Sequence, residues 1–307
     1  MAVDWTVWKP RLAYGAFFVG AFLLALRQTL PADAIRDRLV LEAGQAGWLL
    51  EAADVGPAGL VGVGLKGVTL KDKDGLTIPI EALEVSLAPW QLVRGRVRVA
   101  VWARLYDGTV KGAFDVTGAP RVLDLAVDKV DLARVIPLRK ATGVDLDGLA
   151  SGSASLTLQA DPKVQPSGRF DLVVAGAGLA GGKVVVPGMA GGLTLPKLSL
   201  GQLGAKLALE GGKATFEKLG SSGGDATLQA DGLTITLQPN AKLEFAPVFG
   251  QLSFKLEDAF AGKPEGKTLR SLADLALASG KGRDGAYRVQ LFGSLGHPQA
   301  RPLAPTP

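Results

Sequence analysis

From Trp48 to Leu295 the chain returns again and again to one pattern, an apolar residue at every second position. It is plain in Val97, Val99, Val101, Ala103 and Leu105, where Arg96, Arg98, Trp102, Arg104 and Tyr106 fill the alternate places. It recurs at Leu76, Ile78 and Ile80, at Leu83, Val85 and Leu87, and at Leu123, Leu125 and Val127. In the second half it returns at Leu156, Leu158 and Ala160, at Leu203, Ala205, Leu207 and Leu209, and at Ala226, Leu228 and Ala230. Leu233, Ile235 and Leu237 follow, then Tyr287, Val289 and Leu291. Side chains alternate across a strand, so each run predicts a strand with one apolar face. The phase slips at Glu81-Ala82, which predicts a bulge. Asp107-Gly108 predicts a hairpin turn. The 41 glycines fit many tight turns between short strands.

Three stretches change to a helical period. Pro31 to Ala46 starts with a proline suited to a first turn and is stopped by Gly47. Asp131 to Thr142 has an N-cap aspartate and is shortened or kinked by Pro137. Thr268 to Ser279 places Leu269, Leu272, Ala273 and Ala276 on one face. These helices cannot cover so much sheet. The apolar faces must close on one another as a barrel or sandwich, or line a trough that stays apolar. In the second case the lining residues are Leu156, Leu158, Leu207, Leu209, Leu228 and Ile235.

Leu12 to Leu26 is the most continuously apolar run, fifteen uncharged residues between Arg11 and Arg27. It is short of the roughly 20 residues that span a bilayer. Flanking residues can extend it, and Trp5, Trp8 and Tyr14 suit the interfacial level. The reading is a signal-anchor embedded through Leu12, Phe17, Phe18, Phe22, Leu23, Leu24 and Leu26. The competing reading is a cleaved signal peptide with Ala32-Asp33-Ala34 as its site. The expected layout is an anchor over 1–30, a β-rich domain over 31–297 with an internal boundary near 131–143, and a Pro-rich tail over 298–307.

Chemistry is sparse. With no cysteine and a single histidine, His297, thiol catalysis, Cys-based zinc sites and a multi-His metal site are excluded. Gly176-Ala-Gly178-Leu-Ala-Gly181 has the spacing of a dinucleotide loop. Gly182, Val184 to Val186 and Pro187 follow it where a helix would have to begin, so it reads as a strand-to-strand loop. Asp72-Lys-Asp-Gly75 and Asp145-Leu-Asp-Gly148 lack the further ligands of a calcium loop and read as hairpin turns. The net charge of +5 is spread along the chain, and Arg94, Arg96, Arg98 and Arg104 read as a solvated strand face near lipid headgroups rather than a nucleic-acid surface. No cofactor and no enzymatic activity are expected.

The chain resembles the type II secretion system protein N family and the wider AsmA-like group of envelope proteins. The likeness rests on the anchor followed by the helix Pro31 to Ala46, and on the helix-then-strand unit DLARVIPLRKATG (131–143) with DLDGLASGSASLTL (145–158). The hairpin Arg104 to Gly112 and the segment DGAYRVQLFGSLGHPQARP (284–302) complete it. The resemblance implies a bacterial inner-membrane protein with a periplasmic β-domain that binds other secretion subunits. Through the AsmA-like group it also implies a long curved antiparallel sheet with an apolar groove that holds or passes phospholipid. It carries over no catalytic residue.

Overall fold

The computed structural model describes residues 32–304, apart from 46, 60, 74, 89, 92–93, 143, 162–163, 185–192 and 238–241. The membrane-anchor residues Leu12, Phe17, Phe18, Phe22, Leu23, Leu24 and Leu26 lie outside the described residues. Among the described residues no helix is long and apolar enough to cross a membrane. The chain divides into two compact units, with the division between Leu105 and Tyr106.

The first unit opens with helix α1 (Ala32–Gln45) and continues through β1 (Trp48–Glu51), β2 (Asp54–Pro57), β3 (Gly62–Asp72), β4 (Thr77–Leu87) and β5 (Arg98–Leu105). Gly47 ends the helical segment in the left-handed conformation, φ 86°, and donates its N–H to the Gly44 carbonyl. Strand β3 carries both short strands, β1 and β2, along one edge and pairs with β4 on the other. Val63, Leu65 and Val68 of β3 form the core with Leu50, Ile80 and Ala103, and Leu39, Val40 and Ala43 of α1 pack against it.

The bulge expected at Glu81-Ala82 is absent. Strands β3 and β4 pair without a register shift from Gly62↔Ser86 to Lys71↔Thr77. The phase change is real but shared. Gly67 lies between the register pairs Lys66↔Ala82 and Val68↔Ile80 and holds φ 57° inside the strand, so both strands change phase together and no residue is left over. Leu65 and Val68, three positions apart, thereby enter one core.

The second unit runs β6 (Gly108–Asp115), β7 (Arg121–Asp131), helix α2 (Ile136–Thr142), β8 (Val144–Leu158), β9 (Ser167–Val184), β10 (Leu193–Leu195), β11 (Leu198–Glu210), β12 (Lys213–Ser222), β13 (Ala226–Thr236) and β14 (Val248–Leu256). Helices α3 (Asp258–Ala261) and α4 (Pro264–Leu277) follow, then β15 (Tyr287–Ser294) and β16 (His297–Pro302). The protein is mainly β. Sixteen strands among the described residues belong to one antiparallel sheet, and along its main path they follow one another in chain order.

Several local readings change. The left-handed turn residues before β6 are Tyr106 and Asp107, at φ 51° and 60°, while Gly108 begins the strand. A Cβ on Gly108 would lie 2.6 Å from the Val130 backbone. Asp145 to Gly148, expected as a turn, lies within β8, and Gly176 to Gly181 lies within β9. Both stretches contain register shifts, which read in sequence as breaks because the glycines interrupt alternation without ending the pairing. The two short runs expected over 226–237 are one strand, β13, with a shift between Asp231 and Thr234. His297 to Pro302, expected as the start of a tail, forms the edge strand β16, where prolines are tolerated. Segment 131–142 is a 3-10 turn, Leu132–Arg134, capped by Asp131 at 3.0 Å, followed by α2 with Pro137 in its first turn.

Register fixes the faces in this unit. Phe170 stands opposite Ala154 and Leu207, Leu156 opposite Leu123, and Leu209 opposite Ala214. These belong to one apolar face. The other face is polar, with Asp124 opposite Ser155, Ser155 opposite Arg169, and Lys206 opposite Asp171. The apolar face is open in its middle strands, where Leu123, Leu125, Phe170 and Leu172 are all exposed.

The contrast between units is measurable. Leu65, 1% exposed, sits in a closed core, so Leu65→Ala should cost about 2–5 kcal/mol. Leu125, 39% exposed, keeps much of its surface in water, so Leu125→Ala should cost about 1 kcal/mol or less. Urea unfolding, with amide exchange read separately in each unit, checks both values.

Candidate functional site

The apolar face of the second unit is covered at one end by α3 and α4. Helix α3 seats Phe260 and Ala261 against Leu198, Ala226 and Leu256. Gly266 of α4 crosses α3 so closely that a Cβ there would lie 1.9 Å from the Phe260 carbonyl oxygen. Pro264 starts α4 at its first turn, where its missing N–H costs nothing. Asp225 braces the region. Its carboxylate accepts the Ser199 N–H at 3.0 Å and lies 3.6 Å from Lys263 Nζ, and its carbonyl accepts the Glu257 N–H at 2.9 Å.

Further along, α4 and the sheet leave a crevice of about 430 Å³. Leu179 of β9 and Leu198 and Leu200 of β11 form one wall. Leu228, Phe254 and Leu256 of β13 and β14 form the floor, and Leu269, Leu272 and Leu275 of α4 form the roof. Among the described residues Thr227 is the only polar side chain in the lining, and no charged one takes part. Leu275 stands at the rim, 82% exposed.

A clasp ties roof to floor. Asp274 Oδ1, on α4 between Ala273 and Leu275, accepts hydrogen bonds from Tyr287 Oη at 2.6 Å and Lys281 Nζ at 2.5 Å. Tyr287, 2% exposed, stacks on Phe254 of the floor with centroids 5.0 Å apart. The Lys281 ammonium lies 5.2 Å from the Tyr287 ring centroid. The hydrogen bond from Lys281, then that from Tyr287, holds the Asp274 carboxyl below its ordinary pKa. Burial, then the bond to Asp274, raises the Tyr287 phenol.

The six residues expected to line a trough all lie on the apolar face. Leu228 alone lines the crevice. Leu209 is buried, and Leu156, Leu158, Leu207 and Ile235 are half-buried away from it. The remaining lining was missed. Leu179 lies inside the Gly176–Gly181 motif, where Gly178 lets β9 approach β11; a Cβ on Gly178 would lie 2.9 Å from the Leu198 carbonyl oxygen. The signal that could have found the site is the apolar face of α4 at Leu269, Leu272 and Ala273, which needed a sheet to cover it.

Two other hollows mix charged and apolar side chains. A cleft of about 820 Å³ is lined by Asp124, Arg169, Asp171 and Lys206 together with Leu125, Phe170 and Leu207, with Lys206 paired to Asp171 at 3.0 Å. A second, of about 480 Å³, adjoins the crevice through Leu179 and Leu198 and carries Lys197, Lys263, Asp147 and Asp225. Among the described residues no three of His, Asp and Glu are grouped to hold a metal ion.

Comparison of the chain with protein-family models, curated proteins and solved structures finds no match. Fold and site together define a one-sheet antiparallel protein with a hydrocarbon-lined crevice under a clasped helix.

The clasp sets a pH dependence. Asp274 has a lowered native pKa, so its stabilisation is complete above the ordinary aspartate value of about 3.9 and is lost as pH falls through the native value. Asp274→Asn should speed amide exchange in α4 at neutral pH and remove the extra loosening of α4 on acidification. Exchange measured from pH 7 to 3 on both proteins checks this.

Proposed function

We propose that this chain binds the hydrocarbon part of a lipid in the crevice beneath α4, as a membrane-anchored protein of a bacterial envelope. The observation that carries the reading is the chemistry of the lining. A space of about 430 Å³, within the usual range of ligand pockets, is walled almost wholly by leucine, alanine and phenylalanine. Among the described lining residues Thr227 alone is polar, its hydroxyl already donates to Glu257 at 2.8 Å, and burying an unpaired polar group against the remaining walls is costly. An acyl chain meets both conditions. The open apolar row of Leu123, Leu125, Phe170 and Leu172 offers further apolar surface on the same sheet face. The sequence segment Leu12 to Leu26 and the resemblance to AsmA-like proteins support a place at the periplasmic side of the inner membrane.

A second reading comes from the resemblance to the secretion protein N family. In it the chain is an accessory subunit of a type II secretion machine, and a neighbouring subunit covers the exposed apolar row.

Photo-crosslinking separates the two. The full-length protein, reconstituted in nanodiscs doped with a photoactivatable acyl phospholipid, should give lipid adducts on peptides from α4 and residues 196–200 and 226–228. Leu272→Glu should reduce these adducts by about tenfold or more, since it places a charge against the apolar roof. Adducts confined to the first 30 residues would overturn the lipid reading. Capture of secretion subunits through Leu125 or Phe170 in native membranes, with no lipid on α4, would favour the second.

A further inference from the structure

The segment joining β4 to β5 has a different character from the crevice. Its sequence from Trp90 to Arg98 is WQLVRGRVR, with no acidic residue. Trp90 is 80% exposed. The segment is folded back by backbone hydrogen bonds, from the Gln91 N–H to the Ala88 carbonyl at 3.0 Å and from the Arg94 and Arg96 N–H groups to the Gln91 carbonyl at 3.0 and 2.9 Å. Arg94 and Arg96 are exposed as well, and neither makes an ion pair among the described residues.

A tryptophan left this open to water forfeits the burial of the largest apolar side chain, and its indole N–H needs a polar neighbour wherever it goes. The headgroup layer of a bilayer meets both needs at one depth. The guanidinium groups of Arg94 and Arg96 match phosphate oxygens in geometry and charge. Two exposed arginines, 94 and 96, with no acidic residue from Trp90 to Arg98, complement an anionic surface better than a mixed protein surface.

We propose that the Trp90 turn is a membrane-surface contact, with the indole seated among the headgroups of an anionic leaflet and Arg94 and Arg96 on lipid phosphates. This contact does not depend on the crevice holding a lipid.

The test uses the full-length protein in vesicles of phosphatidylcholine, with or without phosphatidylglycerol, containing lipids brominated at known depths. Tryptophan emission should show a component quenched by shallow bromines, stronger on the anionic vesicles and missing in Trp90→Phe. Each arginine reversed, Arg94→Glu or Arg96→Glu, should weaken the contact about fivefold or more on anionic vesicles. Both variants alter exposed side chains, and circular dichroism confirms the fold. Equal quenching in wild type and Trp90→Phe would overturn the proposal. So would quenching indifferent to lipid charge and to both arginine reversals. A photo-crosslinking residue at position 90 that yields protein adducts and no lipid adducts in native membranes would replace the bilayer with a protein partner.

Discussion

Backbone pairing between strands adjacent in the chain is the interaction on which the rest depends. Along the main path of the sheet, nearly every strand finds its partner one hairpin away, so pairing requires little loop closure. Register then decides which face each side chain takes. One slipped residue would turn Leu156, Phe170 and Leu207 to the polar face and bring Asp124, Arg169 and Lys206 among the leucines. Several irregularities are absorbed by a glycine, as at Gly67 and Gly232, and the one between Val127 and Val130 by Lys129 at φ 53°. The crevice, the clasp and the open apolar row all follow from that register.

The alternation was enough to read the mainly β fold and most strands, because period two is written residue by residue in runs such as Val97 to Leu105. The terminal helices were also legible, from Pro31, Gly47 and the spacing of Leu269, Leu272 and Ala276. What misled was glycine. Asp145 to Gly148 and Gly176 to Gly181 look like turns because local propensity favours turns there, yet the pairing on both sides carries the strands through. Pro298 and Pro302 likewise suggest a tail, but an edge strand needs only one of its sides for the ladder.

The site was legible only in part, for a related reason. Alternation identifies the apolar face and so finds Leu228, Leu207 and Leu156. It does not say where along that face a helix will land. That is decided by long-range anchors such as Asp225, which ties β11 to the entry of α3, and by the close crossing at Gly266. The roof is then held by a charged hydrogen-bonded group, Asp274, rather than by complete packing, which leaves an unfilled apolar space beneath it. A fully packed interface would be more stable and would hold nothing.

Chain-order pairing has a consequence for how such a protein can change in length. A strand that touches only its two neighbours contributes its own stability and two interface terms, much as a repeat does in a linear array. Hairpins can then be inserted or lost in the middle of the second unit without disturbing the capped end where α4 lies. The extent of the open apolar row and the identity of the crevice are therefore separable traits, one set by the number of hairpins and the other by a few residues around Asp274.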